Sequence, residues 1–174
     1  MMNILKKSVC VGLAVIALTA CQSSKEKLNE RIALLEKEAA AGYSVEKNAS
    51  LLQVYAEYIG KFPQDSLSGE YLFKSGTVNM SMRKGDEALS NFKDLINKFP
   101  RSPYLPEACY YTAFIYEDII YDIIAAEVAY KNFIERYPEH KLVTDAKLSI
   151  KYLGKSPEEI IASFEEKEQN TATE

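Results

Sequence analysis

The chain has 174 residues, of which 47% are hydrophobic, with 21 basic and 25 acidic side chains. That apolar content is enough to build a continuous core. The acidic balance argues against nucleic-acid binding, which needs a basic surface. The chain has one histidine and seven glycines that stand singly, so neither a zinc site nor a glycine-rich phosphate loop is expected.

The N-terminal segment has the pattern of a secretory signal. Lys6 and Lys7 precede an apolar run from Val9 to Ala20. A run of this length is too short to span a bilayer and is typical of a signal peptide. We therefore predict a lipoprotein signal over 1–20. The alternative is an uncleaved membrane anchor.

The signal ends in Leu18-Thr19-Ala20-Cys21, which resembles the bacterial lipobox. The resemblance implies cleavage before Cys21 and attachment of a lipid to this cysteine, at the head of a short tether over 21–26. Gln22 follows directly, and the absence of an aspartate there favours the outer membrane over the inner one. Cys109 is then the only free thiol of the mature chain, so no intramolecular disulfide is possible.

A short aromatic phrase that ends in proline occurs three times in the chain. The copies run from Tyr55 to Pro63, from Phe92 to Pro100 and from Tyr130 to Pro138. In each copy, large apolar residues are spaced as on one stripe of an α-helix. Because proline cannot continue a helix, each phrase predicts a helix end. A period of 37 and then 38 residues predicts a stack of helix pairs.

Between the phrases, each repeat is predicted to contain a first helix and a turn. Gly76 and Ala113 occupy matching positions, where a small residue lets two helices approach closely. The predicted breaks before the closing helices are Gly85-Asp86 and Tyr121-Asp122. The second break is expected to hold the one extra residue that lengthens the period from 37 to 38. Pro103 suits a first helical position. Polar residues after the prolines predict caps for the next helices, and these are Asp65 or Ser66, Ser102 and His140.

Further helices are expected on both sides of these repeats. Lys27–Ala41 is amphipathic, and Glu46–Phe62 follows it as a partner. After the third phrase we expect one helix at Leu142–Leu153 and a capping helix at about 157–167. The polar residues 169–174 predict a flexible tail.

This pattern resembles the tetratricopeptide-repeat family. The resemblance implies an all-α fold, a helix-pair solenoid of about three repeats with a C-terminal capping helix, in one domain over 27–168. The alternative is an irregular helical bundle. Besides the aromatic residues and the prolines, three positions match the family pattern. They are a large residue (Leu72 and Cys109), a small residue (Gly76 and Ala113) and an alanine of the second helix (Ala88 and Ala126).

In solenoids of this kind the first helix of each unit lines the concave face, where ligands bind. Aligning the repeats by their prolines gives a candidate partner-binding groove that mixes aromatic and acidic side chains. Such a groove suits an extended or helical peptide with apolar anchors and basic residues. The alternative is that its aromatic residues pack against neighbouring repeats. The groove residues are Glu70, Phe73, Thr77, Met80, Glu107, Tyr110, Phe114, Glu117 and Asp118.

The lipobox and the proline-ended repeats together resemble the BamD-like family, the tetratricopeptide lipoproteins of the outer-membrane β-barrel assembly machinery. The resemblance implies a scaffold, anchored through Cys21 to the outer membrane and facing the periplasm, that binds other proteins such as a β-barrel assembly subunit. No enzymatic activity, cofactor, metal or nucleic-acid partner is expected. The alternatives are a coordinator of cell-envelope constriction, as in the Tol-Pal system, and an accessory subunit that tethers a peptidoglycan enzyme.

Overall fold

A computed structural model describes residues 24–162, and all the regular structure in that part of the chain is helical. The predicted all-α fold of neighbouring helix pairs is confirmed. The signal, Cys21 and the polar tail lie outside the described residues. The helices are α1 (24–40), α2 (Val45–Lys61), α3 (Ser66–Ser81), α4 (Gly85–Lys98), α5 (Leu105–Ile115), α6 (Ile123–Arg136), α7 (Val143–Tyr152) and α8 (157–162).

The helices form two compact units, and the boundary lies inside α3 between Tyr71 and Leu72. The core of the first unit contains a cluster of tyrosines. The ring of Tyr71 stacks on that of Tyr55 at a centroid distance of 5.1 Å and meets Tyr58 edge-on at 4.8 Å. Tyr55 and Tyr58 belong to the apolar stripe predicted for the first proline-ended phrase, and both are buried.

α1 begins earlier than the predicted Lys27. The chain is already helical at residue 24, and Lys25 forms an ion pair with Asp65 beside the start of α3. Hydrogen bonds from Lys25 and from a backbone N–H outweigh the effect of burial and lower the pKa of the Asp65 carboxyl. Residues 24–26 of the expected tether are therefore part of the folded first unit.

The three proline turns are built from the same hydrogen bonds. In each turn, the aromatic residue before the proline donates its N–H to the carbonyl four residues earlier, at 2.8 to 3.0 Å. The side chain two residues after the proline accepts an N–H from the backbone two residues further on. These acceptor–donor pairs are Asp65 and Leu67 at 3.0 Å, Ser102 and Tyr104 at 3.3 Å, and His140 and Leu142 at 3.4 Å.

The caps predicted after the second and third prolines need a correction. α5 begins at Leu105, so Ser102 closes the turn that precedes the helix and does not cap the helix itself. His140 has the same position before α7. The proline in the first turn of α5 is Pro106, where the sequence favoured Pro103.

In the second unit, α4 packs on α5, α5 on α6 and α6 on α7. The closing helices bury large side chains completely: Phe92 and Leu95 on α4, and Tyr130 and Phe133 on α6. Gly76 of α3 lies against the Phe92 ring so closely that an added Cβ would be 2.4 Å from Cε1 of Phe92. The small residue at this position therefore makes room for a buried ring of the closing helix.

A π-helical segment, Tyr116–Ile120, continues α5. A π turn takes up one more residue than an α turn, which accounts for the longer third repeat without a longer loop. The chain leaves this segment through Tyr121, whose φ of 63° is left-handed. Arg83 has a φ of 56° at the matching place in the previous repeat. α4 begins at Gly85, so the break lies at Arg83 and not at the predicted Gly85-Asp86.

The substitution Gly76→Ala tests the close packing in the second unit. The added Cβ would collide with the buried Phe92 ring, so we expect the free energy of unfolding to fall by about 1–3 kcal/mol. Gly60→Ala is the matched control, because nothing lies within 4 Å of a Cβ at that position of α2. The free energy of unfolding of the control should rise by up to about 1 kcal/mol, because alanine is favoured over glycine inside a helix. Urea denaturation measures both changes, and parental stability of Gly76→Ala would contradict this packing.

Candidate protein-binding surface

Two aromatic residues of the predicted groove pack between neighbouring helices. The Phe73 ring stacks on Tyr104 at a centroid distance of 4.8 Å. The Tyr110 ring meets Tyr130 at 5.7 Å and Phe133 at 5.6 Å, in both cases edge-on. Phe73 and Tyr110 are half-buried, so each ring joins two helices and leaves one part exposed.

Four other groove residues are also half-buried, and they lie on both sides of the unit boundary. Thr77 and Met80 are on α3 and Phe114 is on α5, all in the second unit. The Thr77 hydroxyl donates to the carbonyl of Lys74 at 2.8 Å. Glu70 belongs to the first unit. α3 therefore carries groove candidates of both units.

Two acidic groove residues have partners within the second unit. Oε1 of Glu107 lies 3.4 Å from Nε2 of His140 and 3.4 Å from Nζ of Lys141. Oε2 of Glu117 accepts a hydrogen bond of 2.6 Å from the hydroxyl of Tyr130. Burial and this bond raise the pKa of Tyr130. These carboxylates therefore contribute to contacts between helices.

Large apolar side chains are exposed where the π-helical segment meets α6. We call Ile120, Tyr121, Ile123, Ile124 and Val128 the apolar corner. Ile124 is 78% exposed, Tyr121 70% and Val128 54%. Contiguous exposed apolar residues mark interaction surfaces more often than isolated ones do. The apolar corner is therefore the strongest candidate for a binding surface in the second unit.

Two clefts share Tyr116 as a wall. The α6 cleft, with a volume of ≈ 530 Å³, runs along the face of α6 that carries the apolar corner. The α4 cleft, of ≈ 500 Å³, runs along α4. Both clefts are open to solvent. Besides Tyr116, the α6 cleft is lined by Asp122, Ile124, Ala125, Val128, Ala129 and Asn132, and the α4 cleft by Asp86, Leu89, Ser90, Lys93, Ile96, Asn97 and Thr112.

Hydrogen bonds fix the backbone under the apolar corner. Oδ1 of Asp122 accepts the N–H of Ala125 at 2.9 Å and so caps α6. The guanidinium of Arg83 donates to Oδ2 of Asp118 at 2.9 Å and to the hydroxyl of Tyr121 at 3.2 Å. Asp118, the remaining groove candidate, is thus part of a contact between two turns. The turn that carries the exposed side chains of the corner is therefore fixed by the Asp122 cap and by the hydrogen bonds of Arg83.

Acidic residues outnumber basic ones around the apolar corner. Residues 83–87 and 116–131 together contain six acidic and three basic side chains. Two of the three basic residues already pair with carboxylates, Arg83 as above and Lys131 with Glu127 at 2.7 Å. The surroundings of the corner therefore carry a negative charge.

Within residues 24–162, no three His, Cys, Asp or Glu side chains are grouped as a metal site would require. In the same part of the chain, every helix falls short of the length and apolar character of a membrane span. Cys109 is half-buried, and burial raises the pKa of its thiol.

No protein-family model matches the chain, and no curated protein matches it.

Burial of Tyr130 and its hydrogen bond to Glu117 raise the pKa of this tyrosine and make stability sensitive to alkaline pH. A tyrosine in the unfolded chain ionises near pH 10, whereas Tyr130 in the folded protein keeps its proton to higher pH. Its contribution to stability is complete below about pH 10 and declines above it. Tyr130→Phe should lower the free energy of unfolding near neutral pH by about 1.5–3 kcal/mol and make the alkaline decline shallower.

Urea denaturation near neutral pH and above about pH 10 measures both effects. Tyr43→Phe is the control, because that side chain is 67% exposed, and it should behave like the parent. An alkaline decline as steep in Tyr130→Phe as in the parent would show that ionisation of Tyr130 is not coupled to unfolding.

Proposed function

We propose that this chain is a lipid-anchored scaffold that binds other proteins on the periplasmic side of the outer membrane, in the assembly of β-barrel proteins. The observation that carries the proposal is the apolar corner, where Ile124 and Tyr121 are largely exposed on a fixed turn. Folds made of helix pairs commonly present surfaces of this kind to protein partners.

The use of polar side chains in the second unit supports binding over catalysis. Glu107 faces His140, the chain's one histidine, and Glu117 bonds Tyr130. His140 also accepts a backbone N–H in its proline turn. Side chains that are suited to acid–base chemistry therefore hold helices and turns in place. The apolar corner and its two clefts are the surfaces that such contacts leave open.

The anchor is proposed from the motif Leu18-Thr19-Ala20-Cys21, which lies outside the described residues. α1 is helical from residue 24, so a lipid on Cys21 would hold the first unit within a few residues of the bilayer. A scaffold held so close to a membrane suits partners that are themselves embedded in it. This supports a role beside membrane proteins such as the β-barrels.

Replacing the anchoring cysteine tests this proposal. We expect the parent, expressed in a Gram-negative host, to incorporate labelled palmitate, to fractionate with the outer membrane and to copurify with a β-barrel assembly subunit. Cys21→Ser should lose all three properties. Cys109→Ser is the matched control and should keep them, because that thiol is half-buried in the second unit.

Two results would contradict the proposal. Unchanged lipid labelling of Cys21→Ser would show that Cys21 is not the site of lipid attachment. Copurification of the parent with a Tol-Pal component or a peptidoglycan enzyme, and with no assembly subunit, would replace β-barrel assembly by one of the alternative functions.

A further inference from the structure

We infer that the apolar corner and the α6 cleft bind a polypeptide segment whose apolar side chains are flanked by lysine or arginine. The inference rests on the proposed scaffold function and assigns a partner chemistry to one surface. It places this contact on the α5–α6 turn and on α6, and not on the groove predicted from the first helices.

The α6 cleft is shaped for apolar side chains. Ile124, Ala125, Val128 and Ala129 follow one another along a single face of α6, and Tyr116 also lines the cleft. The alanines are half-buried, whereas Ile124 and Val128 are exposed. Small residues between larger ones make an open recess of ≈ 530 Å³, which Asp122 and Asn132 line together with the apolar side chains. Such a recess accepts the large anchors that dominate protein–protein contacts.

The charges around the cleft select the flanks of the partner. Asp122 lines the α6 cleft and Asp86 lines the α4 cleft, and both residues are exposed. Lys93 lines the α4 cleft beside Asp86, so the charges there offset each other. The α6 cleft has Asp122 as its charged lining residue, and a partner with basic residues beside its apolar anchors meets complementary charge there.

The same charges disfavour two other occupants. A bilayer surface with anionic lipids attracts basic patches and would repel this acidic one. Two copies that met corner to corner would bring like charges together, and the whole chain has a formal charge of −4. A basic, apolar segment of another protein avoids both conflicts.

The test uses two synthetic helical peptides of about four turns that differ only in charge. Both carry leucines along one face at the helical spacing of a groove-binding peptide. One peptide has lysines at both flanks and the other has glutamates. Binding to the mature chain, made soluble by Cys21→Ser, is followed by fluorescence anisotropy. We expect the lysine peptide to bind about tenfold more tightly or better, with a preference that shrinks at high salt.

Three variants locate the binding site. Ile124→Ser should weaken binding of the lysine peptide about tenfold or more. Leu148→Ser, at a residue of α7 that is 52% exposed, is the matched control and should leave binding unchanged. Asp122→Asn keeps the helix cap but removes the charge, so it should reduce the preference for lysine over glutamate. Circular dichroism confirms that each variant is folded.

Equal binding of the two peptides, or binding that Ile124→Ser leaves unchanged, would overturn the inference. So would attachment to phosphatidylethanolamine–phosphatidylglycerol vesicles that Ile124→Ser abolishes, which would assign the corner to lipid. A dimer that sedimentation detects and Ile124→Ser dissociates would assign it to a second copy. A lipid or a second copy at the corner would also remove the surface on which the proposed function rests, whereas equal binding of the two peptides would refute only the partner chemistry. Fractionation and copurification of the parent and of Cys21→Ser test the anchor and the assembly role independently.

Discussion

Packing of a large ring against a small residue of the preceding helix holds the second unit together. Phe92 lies against Gly76 at a distance that leaves no room for a side chain, and the buried rings of Tyr130 and Phe133 share one core cluster with Ala113. The prolines determine where each closing helix ends. They therefore determine which small residue each ring can reach, and the helix pairs depend on that register.

The third repeat has to fit an extra residue into the same register. The π-helical segment Tyr116–Ile120 absorbs it, puts Tyr116 between two clefts, and is followed by Tyr121 in a left-handed turn. Isolated π turns often occur at functional sites. Here the π turn contains Ile120 and precedes Ile123 and Ile124 of the apolar corner. Their exposed surface lacks the favourable free energy of transfer out of water that burial would provide. This cost is one reason for the proposal that a partner protein covers the corner.

The helix ends could be predicted because they depend on neighbouring residues. The phrase Phe92–Pro100 contains both the apolar stripe and the residue that stops it. The partners of Glu117 and Asp118 lie 13 and 35 residues away, at Tyr130 and Arg83, and only the packing of the helices brings them together. The apolar corner was missed for a related reason, since the repeat pattern directs attention to first helices. Its signal in the sequence was a run of isoleucines on both sides of a predicted break.

Photocrosslinking from the apolar corner tests the central claim, that this surface binds a basic, apolar segment of another protein. A photoreactive amino acid would be placed at position 124 of the lipidated protein in cells, with position 148 as the reference site. We expect position 124 to capture an outer-membrane assembly protein, and we expect the crosslinked peptide, identified by mass spectrometry, to have apolar residues flanked by lysine or arginine. Crosslinks from position 124 only to lipid or to a second copy of the chain, or the same crosslinks from both positions, would contradict the central claim.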